Sequence, residues 1–139
     1  MAVERHCVEV KSRGFADIVD ISDEVRELVS KGSVESGLAC IFVSGSTGAV
    51  TTVEYEPGLV QDLREAFERL ASEHADYQHN LRWGDGNGFS HVRAALVGPS
   101  LTVPFADKEL ELGTWQQIVF IDFDNRPRSR RLSITVVGE

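Results

Sequence analysis

Three shortages define this chain before any motif does: few cations, few cysteines, and no long apolar run. Fourteen Lys and Arg face 22 Asp and Glu, for a net charge of -8. General nucleic-acid binding relies on clustered cations, so it is not expected here. No apolar stretch approaches the roughly 20 residues that a membrane helix needs. The N-terminal MAVERHCVEV is charged within its first five residues and has no signal-peptide core. Two cysteines, Cys7 and Cys40, cannot make a disulfide framework. Both lie in apolar strand-like runs and are expected to be reduced, buried thiols of a cytoplasmic protein. What remains is 139 residues, 42% hydrophobic, without repeat or linker. This composition predicts one globular domain over 1–139 that buries roughly two thirds of its unfolded surface.

The apolar spacing gives the elements. Residues 3–11 alternate as a strand, and 38–43 (LACIFV) form a short apolar run that reads as a buried one. After a turn at 44–48, residues 49–54 read as its antiparallel partner. Ser22 is a candidate N-cap for a helix through about Ser30, stopped at Gly32. Pro57 opens a longer helix to about Glu73, with Leu59, Leu63, Phe67 and Leu70 as its core stripe. Strands are expected at 92–97, 117–123 and 131–137, with a shorter one at 100–104 ending on Pro104. Strands outnumber helices and short turns join them. The expected fold is α+β, with sandwich-like antiparallel β-sheets and about two helices packed on one face.

Chemistry concentrates in residues 83–104, WGDGNGFSHVRAALVGPSLTVP. A polar, glycine-rich loop delivers His91 onto what reads as a strand, where an imidazole can serve in acid/base work or metal ligation. The plain alternative is a strand-end histidine bonded to backbone. His79 precedes the loop and can share a cation with His91, alongside Asp85 or Glu54. Asp85 and Asn87 offer hard oxygen ligands for magnesium and diphosphate, although both also form turns without any ligand. Ser46, Thr47 and Thr51 flank a glycine turn whose amides suit phosphate. That run lacks the lysine and the helix start of a phosphate loop. On a strand, Arg93 faces away from Val92 and Ala94, free to grip a phosphate or to stand as a surface charge. Trp115 reads as a core or interface anchor, with Gln116 lining the cleft. Arg126, Arg128, Arg130 and Arg131, four in six residues, form either a solvated strand face or a seat for a small anion.

Three blocks together resemble the YjbQ-like family, also called the secondary thiamine-phosphate synthase family. They are FVSGSTGAVT with EYEPGLVQD (42–51 and 54–62), YQH with DGNGFSHVRAALVGPSLTVP (77–79 and 85–104), and LGTWQQIVFIDFD (112–124) with the Arg-rich tail. The resemblance implies a compact α+β domain that assembles as a homotrimer. It also implies a weak transferase activity, which joins a hydroxymethylpyrimidine diphosphate to a thiazole phosphate and releases pyrophosphate.

Carried onto this chain, the resemblance points to His91, Asp85 and Asn87 as catalytic residues. His79 and His91 would be ligands of a divalent magnesium or zinc ion. Ser46, Thr47, Thr51, Arg93, Ser100, Gln116 and Arg126 would contact a small phosphorylated molecule. Most members carry a histidine where this chain has Gly45, which leaves two of three imidazoles. The leading expectation is therefore the transferase. The alternatives are a metal-dependent hydrolase and a non-catalytic module that binds small anions or assembles with itself.

Overall fold

The computed structural model describes all of residues 1–139. Its elements in order are β1 (Ala2–Ser12), β2 (Asp17–Asp20), α1 (Ser22–Lys31), β3 (Gly37–Val43), β4 (Gly48–Val53), α2 (Pro57–Leu70), α3 (Gln78–Trp83), α4 (Gly88–Val97), β5 (Ser100–Ala106), β6 (Glu109–Leu110), β7 (Gln117–Asp122) and β8 (Arg128–Gly138). They build one five-stranded sheet, ordered β1-β8-β3-β5-β6, and one three-stranded sheet, ordered β2-β7-β4. Every pairing is antiparallel. The expected α+β class holds.

The three-stranded sheet is covered on both faces, and this accounts for the sequence of its central strand. Along β7, Ile118 and Phe120 join Val25 and Val29 of α1 and the inner face of the large sheet in one core. Val119, Ile121 and Phe123 turn the other way, against Phe67 of α2 and Ala94 of α4. A strand buried on both sides reads as a continuous apolar run, here IVFI from Ile118 to Ile121. Each of these side chains contributes about 1.5–3 kcal/mol by burial. The outer face of the five-stranded sheet lies open, with Val3, Leu38 and Phe42 exposed on it.

Several expectations are corrected. Residues 92–97 are the end of α4, not a strand, so His91 and Arg93 lie on a helix. Four helices form rather than about two, of which α2 and α4 cover the outer face of the small sheet. The α2 helix stops at Leu70, which is exposed and outside its core stripe. Ser22 starts α1, but its hydroxyl accepts the Ile118 amide at 2.8 Å instead of capping the helix. Pro104 lies inside β5, not at its end. Cys7 is exposed and Cys40 half-buried, against the expectation of buried thiols.

Candidate functional site

The site forms at one end of the small sheet, where β7 ends, β4 begins and α3 and α4 approach. Gly84 and Gly86 both hold left-handed angles (φ +70° and +69°), which lets the chain turn from α3 into α4 within a few residues. That turn stacks the two imidazoles, His79 from α3 and His91 from the first turn of α4. Their ring centroids are 4.3 Å apart and their planes are tilted by 38°.

Burial lowers the His91 pKa below the usual imidazole range, and His79 beside it adds to the effect. Asp85 and Asp124 act in the opposite sense. The Nδ1 atom of His79 is buried without a hydrogen-bond partner. The closest carboxylate oxygen to it is Oδ1 of Asp85, at 3.6 Å. His91 borders a cavity of about 250 Å³ with Gly45, Ser46, Gly48, Ala94 and Ala95. Small residues at all five of these positions leave the room beside the ring.

Beneath the imidazoles lies a carboxylate–guanidinium network, in which two arginines of the expected anion seat, Arg128 and Arg130, hold carboxylates of the protein itself, Asp124 and Asp122, which sequence reasoning missed. Asp122 and Asp124 are fully buried at the end of β7. Arg130 grips Asp122 through Nε at 2.8 Å and Nη2 at 2.9 Å. Arg128 reaches Oδ2 of Asp124 through Nε at 2.9 Å and Nη2 at 2.6 Å. Burial pushes the Asp124 carboxyl upward. The Asn125 amide, the Asn87 side chain and Arg128 outweigh that and hold it below the usual carboxylate range. The legible signal was the D-F-D alternation ahead of R-x-R, two buried carboxylates matched with two arginines.

The structure divides the expected site residues. His79, His91 and Asp85 come together, and Ser46 lies across the cavity. Asn87 is buried and donates to Oδ1 of Asp124 at 3.2 Å, so it braces the network. The Thr47 hydroxyl is also taken, accepting from Arg130 at 2.7 Å.

The others do not border the cavity. Arg93 is buried; its Nε donates to the Ala71 carbonyl and its Nη2 to Glu68, both at 2.9 Å, so its role is to tie α4 to α2. Gln116 bonds Gly113 and Thr52, and the Trp115 beside it is exposed. Thr51 sits half-buried in β4, Ser100 opens β5 opposite Phe42, and Arg126 stands exposed in the β7–β8 turn.

A family model described as UPF0047 protein YjbQ-like matches residues 6–139. The chain belongs to this family. Among YjbQ-like relatives, a UPF0047 protein of Methanothermobacter thermautotrophicus is 35% identical over 123 residues, covering 88% of this chain and 84% of its own. Another from Archaeoglobus fulgidus is 35% identical over 125 residues, covering 90% and 94%. Among solved structures, a YbjQ-like protein of unknown function from Sulfolobus solfataricus superposes with a TM-score of 0.89 at 27% identity, covering 99% of this chain and 100% of its own. A hypothetical protein from Aeropyrum pernix gives 0.90 at 31% identity, covering 98% and 99%.

The three-imidazole metal site implied by the family resemblance meets a specific obstacle here. With Gly45 in place of the third ring, no three His, Cys, Asp or Glu side chains gather closely enough to hold an ion. Within one chain this donor set does not close a metal site. For membranes, no helix is long and apolar enough to cross one.

Proposed function

We propose that this YjbQ-like chain is an enzyme acting on a small phosphorylated molecule, with His91 as general base on a water nucleophile. The observation that carries the reading is the depressed pKa of His91 at the mouth of the cavity beside His79. An imidazole held neutral at physiological pH is ready to accept a proton. In the proposed step His91 takes a proton from water, the water oxygen bonds to phosphorus and the ester P–O bond breaks; the leaving oxygen then takes that proton from the His91 imidazolium and departs as an alcohol, which restores the neutral base. The test is orthophosphate release from p-nitrophenyl phosphate and a panel of phosphate esters. His91→Gln is expected to cut turnover by about 100-fold or more, the usual worth of a general base. Full turnover in that variant would sink the proposal.

The second reading is the thiamine-phosphate-synthase-type transfer. It draws on the family resemblance and on the arginine beside Gly45 that can meet a leaving pyrophosphate. In that reaction a thiazole nitrogen attacks through a lone pair that carries no proton. The new C–N bond displaces pyrophosphate, and a neutral imidazole has no proton to remove in that step. The supply of both phosphorylated substrates separates the readings: a coupled product identifies transfer, and orthophosphate identifies hydrolysis. Homotrimeric assembly belongs to the same proposal, supported by the open apolar face at Val3, Leu38 and Phe42. Two unpaired cysteines support cytoplasmic residence.

A further inference from the structure

The turn at residues 44–46 has two sides, and only one of them faces His91. Behind it lies a second cavity of about 320 Å³, lined by Ser44, Arg130, Arg131, Ser129, Ser133 and Cys7. Its donors are largely uncommitted. Arg130 uses Nε and Nη2 on Asp122 and Thr47, which leaves Nη1 with no bond inside the protein. Nη1 lies 3.8 Å from where a Cβ would stand on Gly45, and Gly45 also borders the His91 cavity. The Ser44 and Ser129 hydroxyls have no protein partner in the hydrogen-bond network, and Ser133 makes only a 3.5 Å contact to the Phe42 carbonyl.

Two carboxylates face these arginines. Asp122 is fully engaged by the Arg130 fork and by Ser12. Glu9 meets Arg131 at 3.3 Å, with both side chains 71% exposed. An exposed pair of that kind is worth about 0–1 kcal/mol, so an incoming dianion can displace it.

We infer that this cavity is a phosphoryl seat, in which Arg130 Nη1, Arg131 and the hydroxyls of Ser44, Ser129 and Ser133 hold a second, non-reacting phosphate of a substrate whose scissile phosphoester reaches past Gly45 to His91. Tetrahedral anions take charge-assisted donors and hydroxyls from several directions, and this lining offers both. The buried Asp122 fixes the Arg130 guanidinium in advance, so little of its side-chain freedom is lost on binding. The inference rests on the proposal that the substrate is a phosphate ester, and it adds that such a substrate carries a second phosphate, held away from the bond that breaks.

The test is binding of inorganic phosphate to the full chain, measured by calorimetry, with acetate as the carboxylate comparison. The wild type is expected to bind phosphate saturably and more tightly than acetate. Arg131→Gln combined with Ser129→Ala should weaken it about tenfold, the worth of a lost charge-assisted hydrogen bond. Neither side chain holds the core, and circular dichroism checks that the variant is folded. His91→Ala should bind phosphate as the wild type does. Absence of saturable binding, equal affinity for acetate, or an unchanged double variant would each overturn the seat. Phosphate binding without His91-dependent turnover removes the catalytic proposal and leaves the seat standing. Turnover without phosphate binding does the reverse.

Discussion

Arg130 and Asp122 meet in a two-point fork, 2.8 and 2.9 Å, with the carboxylate fully buried and the guanidinium almost so. Removal of Arg130 alone leaves an uncompensated charge inside the protein. Arg130→Met is therefore expected to destabilise the fold by about 3–5 kcal/mol, as broken buried pairs do. Adding Asp122→Asn should return part of that loss, because the orphaned charge goes with it. Urea denaturation of the three proteins checks both statements; a double variant less stable than the single one contradicts the second.

His79 depresses the His91 pKa by charge repulsion, second to burial. The acid limb of kcat/KM should lie below about 6.5, the free imidazole value, because protonation removes the base. His79→Gln removes the repelling charge, so that limb should move toward higher pH. A pH–rate series on both proteins decides the matter, and movement of the limb toward acid would contradict the stacked-pair reading.

At the other end of the molecule, Glu4 accepts from the Ser33 hydroxyl and amide and from His6, which lowers its pKa from 4.5 to about 2. The unfolded chain then binds more protons than the folded one between those values. This contribution to stability is present above pH 4.5 and is lost as pH falls toward 2. Glu4→Gln should flatten the pH dependence of the urea midpoint in that window alone. An identical slope in both proteins would show that the Ser33 contacts do not survive in solution.

A Cβ on Gly45 meets nothing nearer than Arg130 Nη1 at 3.8 Å, an ordinary contact, so the backbone there accepts a side chain without strain at its first atom. Gly45→His supplies the third imidazole that the donor set lacks. Zinc affinity by titration should rise by at least about tenfold, the scale seen for losing even an outer-shell partner of a metal site. An unchanged affinity would mean that position 45 does not look toward His79 and His91.

Six of the eight strands were legible because their apolar residues alternate or run unbroken, as in β1, β3 and β7; β2 and β6, of four and two residues, are too short to show a period. The α4 helix was not, and two residues account for much of the error. Its buried positions Phe89, Ser90, Arg93 and Ala94 are spaced as on a helix face, but Ser90 and Arg93 count as polar in any hydropathy reading. With those two discounted, Val92 and the later aliphatics look like a strand. The short α3 buries no residue, so it leaves no stripe to find. The same blindness hid half of the site. His79, His91 and Asp85 announced themselves by residue type. Asp122 and Asp124 sit in an apolar strand, and their arginine partners lie several residues downstream, so only the folded chain shows them as pairs.

The two margins of the large sheet are unlike. On one side β5 carries Pro104, which has no amide hydrogen to donate, and only the two-residue β6 lies beyond it. On the other side β1 runs for eleven residues, bonded to β8 along one flank and to no strand along the other. Along β1, Arg5, Glu9 and Lys11 alternate on the exposed face of the sheet, so the strand beside that open flank is a charged one. A foreign strand seeking to extend the sheet has a single berth of useful length, and it must lie against ionised side chains to occupy it. Within the large sheet, β1 is therefore the margin at which two copies can pair edge to edge, and removing those charges is how they would be made to do so.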